Sequence, residues 1–174
     1  YNSDINLSNF KENTMSVGIF YTTTKGHTKS ACEYLAGKIG AQLVDVKSAG
    51  AEDFAKFDVI IVAAPSYGDG ELQSDWAEKL PLLKVGCKGK KAAILAVGNQ
   101  ANHPQTLFSG AVDFLPYLKD AQIFGASDVD GYKFNHSAFF INGKFIGLAL
   151  DVKGDENYSK RIDKWVEENK PILF

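Results

Sequence analysis

Two uninterrupted apolar runs, Val59-Ile60-Ile61-Val62-Ala63 and Ala92-Ala93-Ile94-Leu95-Ala96-Val97, constrain this chain more than any other feature. Neither alternates with polar residues, so each reads as a central strand covered on both faces, the pattern of a parallel sheet packed between helices. A further buried strand is predicted at Val17, Ile19 and Phe20, and behind it Ala31, Cys32, Leu35, Ala36 and Ile39 recur at helical spacing. Leu43 to Val46 and Ile123 to Ala126 are shorter strand candidates, and Phe145 to Leu150 is a last apolar strand. Helices are predicted over Glu52 to Phe57, Gln73 to Leu83, Thr106 to Leu118 and Tyr158 to Asn169. In the third of these, Phe108, Val112 and Leu115 share a face and Pro116 bends the last turn. Strands alternate with helices, which gives an α/β fold.

Each long strand ends in a polar loop. The first, Thr22-Thr23-Thr24-Lys25-Gly26-His27-Thr28, leads into a helix, where free N–H groups and the helix dipole favour an anion. Capped turns favour the same residues, so a phosphate turn and an ordinary cap both remain open at this point. It is neither the G-x-x-x-x-G-K-[ST] loop of nucleotide hydrolases nor the G-x-G-x-x-G of dinucleotide folds. The second loop, Pro65-Ser66-Tyr67-Gly68-Asp69-Gly70-Glu71-Leu72, combines permissive glycines with a flat ring; it is either a turn around a packed tyrosine or a ligand loop. A loop after a central strand is where an open α/β sheet places its ligand. The third, Gly98-Asn99-Gln100-Ala101-Asn102-His103-Pro104, offers amides whose paired donors and acceptors suit the edge of a heterocycle.

At 174 residues, 45% hydrophobic, the chain is long enough for one domain with a substantial core. Residues Tyr1 to Thr14 are polar and read as a leader, tag or mobile arm, which leaves 15–174 as the domain. A net charge of -2 gives no basic footprint for nucleic acid, and no run approaches the ~20 apolar residues of a membrane span. The expectation is a cytoplasmic protein. Cys32 and Cys87 stand apart and His27, His103 and His136 show no ligand spacing, so no metal site is expected. No G-x-S-x-G elbow or Cys-His signature suggests nucleophilic catalysis.

Between Ile123–Ala126 and Phe145–Leu150 lies a stretch of turn residues and aromatics, Ser127 to Asn142. It reads as one edge strand interrupted by an insertion of about twenty residues, long enough to be a functional attachment.

These segments together resemble the flavodoxins. The likeness runs from Ser16 to Lys170, through Gly70-Glu71-Leu72-Gln73-Ser74-Asp75-Trp76, Gly98-Asn99-Gln100, Asp130-Gly131-Tyr132, Gly143 through Asp151, and Arg161 through Val166. The interrupted edge strand is similar to the long-chain subgroup. The resemblance implies a three-layer sandwich around a five-stranded parallel sheet of order 2-1-3-4-5. It also implies noncovalently bound FMN and low-potential one-electron transfer rather than substrate turnover. Implied partners are redox proteins such as a flavodoxin reductase or electron-accepting enzymes, met by a monomer.

By the same resemblance, Thr23, Thr24, Lys25, Gly26, His27 and Thr28 would surround the FMN phosphate. Tyr67 and His103 would flank the isoalloxazine, and Gly98, Asn99 and Gln100 would meet its pyrimidine edge. Pro65 and Ser66 lead into the ring loop, where the Gly68–Asp69 peptide would sit near flavin N5. Four positions depart from the family's usual residues: Lys25 for threonine, Tyr67 for tryptophan, Asn99 for aspartate and His103 for tyrosine. They imply weaker FMN binding and a raised, pH-dependent potential, or a flavin-free domain that binds a protein partner through the same loops.

Overall fold

The computed structural model describes residues 15–22, 26–66 and 72–174. Its strands are β1 (Val17–Tyr21), β2 (Gln42–Asp45), β3 (Val59–Pro65), β4 (Lys91–Val97), β5 (Gln122–Ile123), β6 (Phe140–Ile141), β7 (Lys144–Phe145) and β8 (Leu148–Leu150). The main sheet is parallel with the order β2-β1-β3-β4-β5. This is the predicted α/β architecture and strand order. Strand β8 pairs with the same side of β4, at Leu95 to Val97, while β5 pairs at Lys91 and Ala92. One edge lane is therefore filled by two short pieces, as the interrupted-strand pattern anticipates.

The sheet divides the core by side-chain alternation. Ile60, Val62 and Ala64 of β3 join Phe20, Ile94 and Ala96 on one face, against Phe54, Trp76, Leu83 and Phe114. Val59, Ile61 and Ala63 join Ile19, Ala93 and Leu95 on the other, against Ala31, Leu35, Ile162 and Trp165. All seven residues of β3 are buried, and each large aliphatic side chain there contributes about 1.5–3 kcal/mol by leaving water. Helices α1 (His27–Ile39) and α5 (Tyr158–Glu168) cover the second face. The first is covered by α2 (Ala51–Ala55), α3 (Ser74–Ala77), α4 (Leu80–Gly86) and a 3₁₀ segment, Ser109–Tyr117. A short α6 (Lys170–Leu173) follows α5.

Three elements differ from the sequence reading. The helix expected over Gln73 to Leu83 is split into α3 and α4, because Pro81 lacks the N–H that would continue α3 and instead occupies the first turn of α4. The helix expected over Thr106 to Leu118 is the 3₁₀ segment. Phe108 sits at φ 60°, outside the α region, and the fully buried residues Phe108, Ala111 and Phe114 recur every three positions. Val112 and Leu115, expected on the buried face, are only partly covered. The last strand, expected over Phe145 to Leu150, is divided: Phe145 ends β7, which pairs antiparallel with β6 through Asn142 (φ 55°) and Gly143 (φ 81°), a turn with both central residues left-handed, and only Leu148–Leu150 joins the main sheet.

Candidate functional site

Parallel strands present all their carboxyl ends at one edge, and the chain leaves β1 toward β2 but returns through β3 on the other side. That reversal opens a crevice between β1 and β3, the position at which open α/β sheets bind ligands. The stems of the three polar loops gather there, since Tyr21 pairs with Ala63 and Pro65 with Val97.

At the first loop, Gly26 caps α1 in the left-handed conformation at φ 82°, which an L side chain would resist. Two residues later Thr28 is fully buried, and its Oγ1 has no hydrogen-bond partner among the described residues. A buried hydroxyl left unmatched costs about 1–3 kcal/mol, so its retention in the first turn of a helix points to an external partner with acceptor oxygens. His27 opens the helix and is half-buried. Thr23, Thr24 and Lys25 lie outside the described residues.

Pro65 is the last residue of β3, and Ser66 follows it, 1% exposed. The Ser66 N–H donates to the Val97 carbonyl at 2.7 Å and its Oγ accepts the Gly110 N–H at 2.7 Å. Ser66 therefore ties the second loop to the 3₁₀ segment behind the third. Tyr67, Gly68 and Asp69 are outside the described residues.

The third loop is held from several directions. A Cβ on Gly98 would stand 2.8 Å from Cδ1 of Phe108, so the glycine answers to the ring packed beneath it. The Gly98 N–H donates to the Leu150 carbonyl at 3.0 Å. Asn99 is nearly buried, and its Oδ1 accepts the Asn102 N–H at 3.0 Å while its carbonyl accepts the His103 N–H at 2.9 Å. The Gln100 N–H donates to Oδ2 of the fully buried Asp151 at 3.2 Å, and Gln100 Oε1 accepts the Lys133 N–H at 2.8 Å. That bond ties the third loop to the insertion. His103 is half-buried at the loop's far end.

Residues outside the expected cofactor-binding set organise this edge. Thr22, 3% exposed, sits between Oε1 of Gln73 and Oδ2 of Asp75, and Trp76 Nε1 donates to the Ala63 carbonyl at 3.0 Å. Asp151 holds the N–H groups of Gln100 and Gly154, while Tyr132 from the insertion accepts the Asp151 N–H at 2.9 Å. Gln73, Asp75, Trp76, Tyr132 and Asp151 all lie in the runs that carry the family resemblance, which was the one signal for them. Burial pushes the Cys87 thiol up to about 12 and raises that of Cys32 further, so neither is poised as a nucleophile. Among the described residues, no cluster of His, Cys, Asp and Glu could hold a metal ion, and no helix is long and apolar enough to cross a membrane.

The sequence profile of the flavodoxin domain matches residues 18–121. The flavodoxin of Helicobacter pylori is 33% identical over 157 residues, 88% of this chain and 96% of that protein. That of Synechocystis is 32% identical, over 90% of this chain and 97% of its own. Among solved structures, Fusobacterium nucleatum flavodoxin bound to flavin mononucleotide superimposes with a TM-score of 0.81 at 28% identity, covering 91% of this chain and 98% of that one. Profile, relatives and fold agree, and this chain belongs to the flavodoxin family.

Proposed function

We propose that this chain is a low-potential one-electron carrier that holds FMN noncovalently and passes electrons between redox proteins. It is an electron-transfer protein, as its family is, rather than an enzyme with a substrate of its own. One observation carries the reading for this chain in particular: the buried Thr28 hydroxyl, unmatched in the first turn of α1, directly behind a left-handed Gly26. A phosphate oxygen is the acceptor that such a donor needs, at the positive end of a thirteen-residue helix.

FMN bound there would supply reversible one-electron chemistry at its ring. The protein's part is to hold and tune it. Thr23, Thr24, Lys25, Gly26, His27 and Thr28 would enclose the phosphate, with Lys25 adding a charge. Tyr67 and His103 would cover the ring faces, and the Gly68–Asp69 peptide would face N5. Gly98, Asn99 and Gln100 would line the pyrimidine edge, above the Pro65–Ser66 stem. Asp151 places a fully buried carboxyl under Gln100, where it accepts the Gln100 N–H and holds the third loop in place. The partners would be proteins such as a flavodoxin reductase and electron-accepting enzymes, met as a monomer in the cytoplasm.

The test is to load the protein with FMN and mix it with a flavodoxin reductase, NADPH and cytochrome c. Electron flow to the cytochrome that depends on this protein supports the carrier. Oxidation of NADPH or reduction of a quinone by the loaded protein without the reductase would make it an enzyme instead.

A further inference from the structure

Residues 73–76 enter α3 immediately after the second loop, and they are bound to the stems of three strands. Trp76 takes the β3 carbonyl of Ala63, and Thr22 at the end of β1 lies against Gln73 and, at 3.1 Å, Asp75 Oδ2. Lys47, in the turn that follows β2, approaches Asp75 at 3.6 Å. Thr22 opens the first loop directly after β1, and its side chain is withdrawn from solvent. A hydroxyl carries one proton: Gln73 Oε1 is the nearer of its two acceptors and the Asp75 carboxylate the stronger.

We propose that Thr22 and Asp75 form a latch that fixes the end of β1 relative to the start of α3, and that they are positioning residues for the cofactor. The inference rests on the FMN reading of the site. Its physical content is that FMN would bridge the ends of β1 and β3, with its phosphate held beside α1 and its ring held beyond β3 and β4. Riboflavin, which lacks the phosphate, engages only the ring loops. An error in the spacing of the loops therefore penalises FMN and leaves riboflavin nearly indifferent.

The experiment is fluorescence titration of the flavin-stripped protein with FMN and with riboflavin, for wild type, Thr22→Val, Asp75→Ala, the double variant and Thr22→Ser. Loss of one hydrogen bond to a charged group is expected to weaken FMN about tenfold in either single variant, with riboflavin changed less than about twofold. The double variant should lose less than the sum of the single losses, because both break the Thr22–Asp75 contact, while Thr22→Val alone also loses Gln73 and Asp75→Ala alone also loses Lys47. Thr22→Ser, which keeps the hydroxyl, should restore the FMN preference. Equal losses for both flavins, additive losses in the double variant, or unchanged FMN binding in Thr22→Val would each overturn the latch. Failure of the wild type to bind FMN would instead overturn the cofactor reading itself.

Discussion

The guanidinium of Arg161 lies 3.4 Å from the centroid of the Tyr132 ring, and the Tyr132 hydroxyl donates to the same Asp155 oxygen that Arg161 Nε binds. Arg161 also donates to the carbonyls of Val129 and Asp130, so one residue of α5 clasps the first residues of the insertion. The same Tyr132 hydroxyl accepts the Asp151 N–H, which connects the insertion to the stem of the third loop. Tyr132→Phe keeps the ring over Arg161 but strands a buried N–H, and is expected to cost about 1–3 kcal/mol in urea unfolding. Arg161→Lys should be destabilising as well, because a point charge cannot replace a fork that serves a carboxylate and two carbonyls. Wild-type stability in both variants would show that the clasp holds nothing.

Acid should loosen the same clasp. Burial works to raise the Asp155 carboxyl, but the Asn157 N–H, the Tyr132 hydroxyl and Arg161 outweigh it and hold it below the ordinary carboxylate range. A carboxyl held low in the fold contributes stability above its unfolded value, near 4, and loses it as pH falls through the folded one. The urea midpoint should therefore drop less between pH 6 and about pH 3 in Asp155→Asn than in the wild type. Identical pH dependence in the two proteins would rule this out.

Two glycines test how tightly the site is backed. A Cβ on Gly147 would lie 2.1 Å from the Ile94 carbonyl oxygen, a backbone atom that cannot move aside. Gly147→Ala should separate β8 from β4 and prevent folding at ordinary temperature. Gly98→Ala meets the Phe108 ring at 2.8 Å, and should cost about 1–3 kcal/mol while weakening FMN. Circular dichroism melts distinguish the two outcomes, and a well-folded Gly147→Ala protein would contradict the observed register.

The sheet was legible because Val59–Ala63 and Ala92–Val97 are apolar without a break, and only a strand covered on both faces needs that. The resemblance brought the strand order, and the interrupted edge strand followed from the apolar pieces around Ile123 and Leu148. Less legible was what the backbone decides for itself. Phe108 reads as a helix-face residue, and its left-handed φ depends on packing under Gly98 that no local pattern announces. Pro81 was a visible break, whereas the Asn142-Gly143 turn was a hairpin signal hidden in a segment read as loop. The loop residues were legible as types, since amides and hydroxyls after strands suit a ligand. Which of their atoms the protein itself uses was not: Gln100 Oε1 goes to Lys133, and Ser66 Oγ goes to Gly110. Such pairings depend on contacts between segments far apart in sequence.

Thr28 is where stability and binding should part. Thr28→Val is nearly isosteric and removes a buried hydroxyl with no partner among the described residues. The flavin-free variant is expected to be as stable as the wild type or more so, by about 1 kcal/mol, while its affinity for FMN falls about tenfold. Riboflavin affinity should not change. A Thr28→Val protein that loses stability and keeps its FMN affinity would show that the hydroxyl serves the fold.

The central claim is that the edge formed by the ends of β1, β3 and β4 holds FMN. Titrating the flavin-stripped protein with FMN while following flavin fluorescence tests it most directly. Sharp quenching to a one-to-one endpoint, weakened by Thr28→Val, is the expected result. Fluorescence that stays equal to that of free FMN at every protein concentration would contradict the claim, and would mean that this chain keeps the flavodoxin fold without its cofactor.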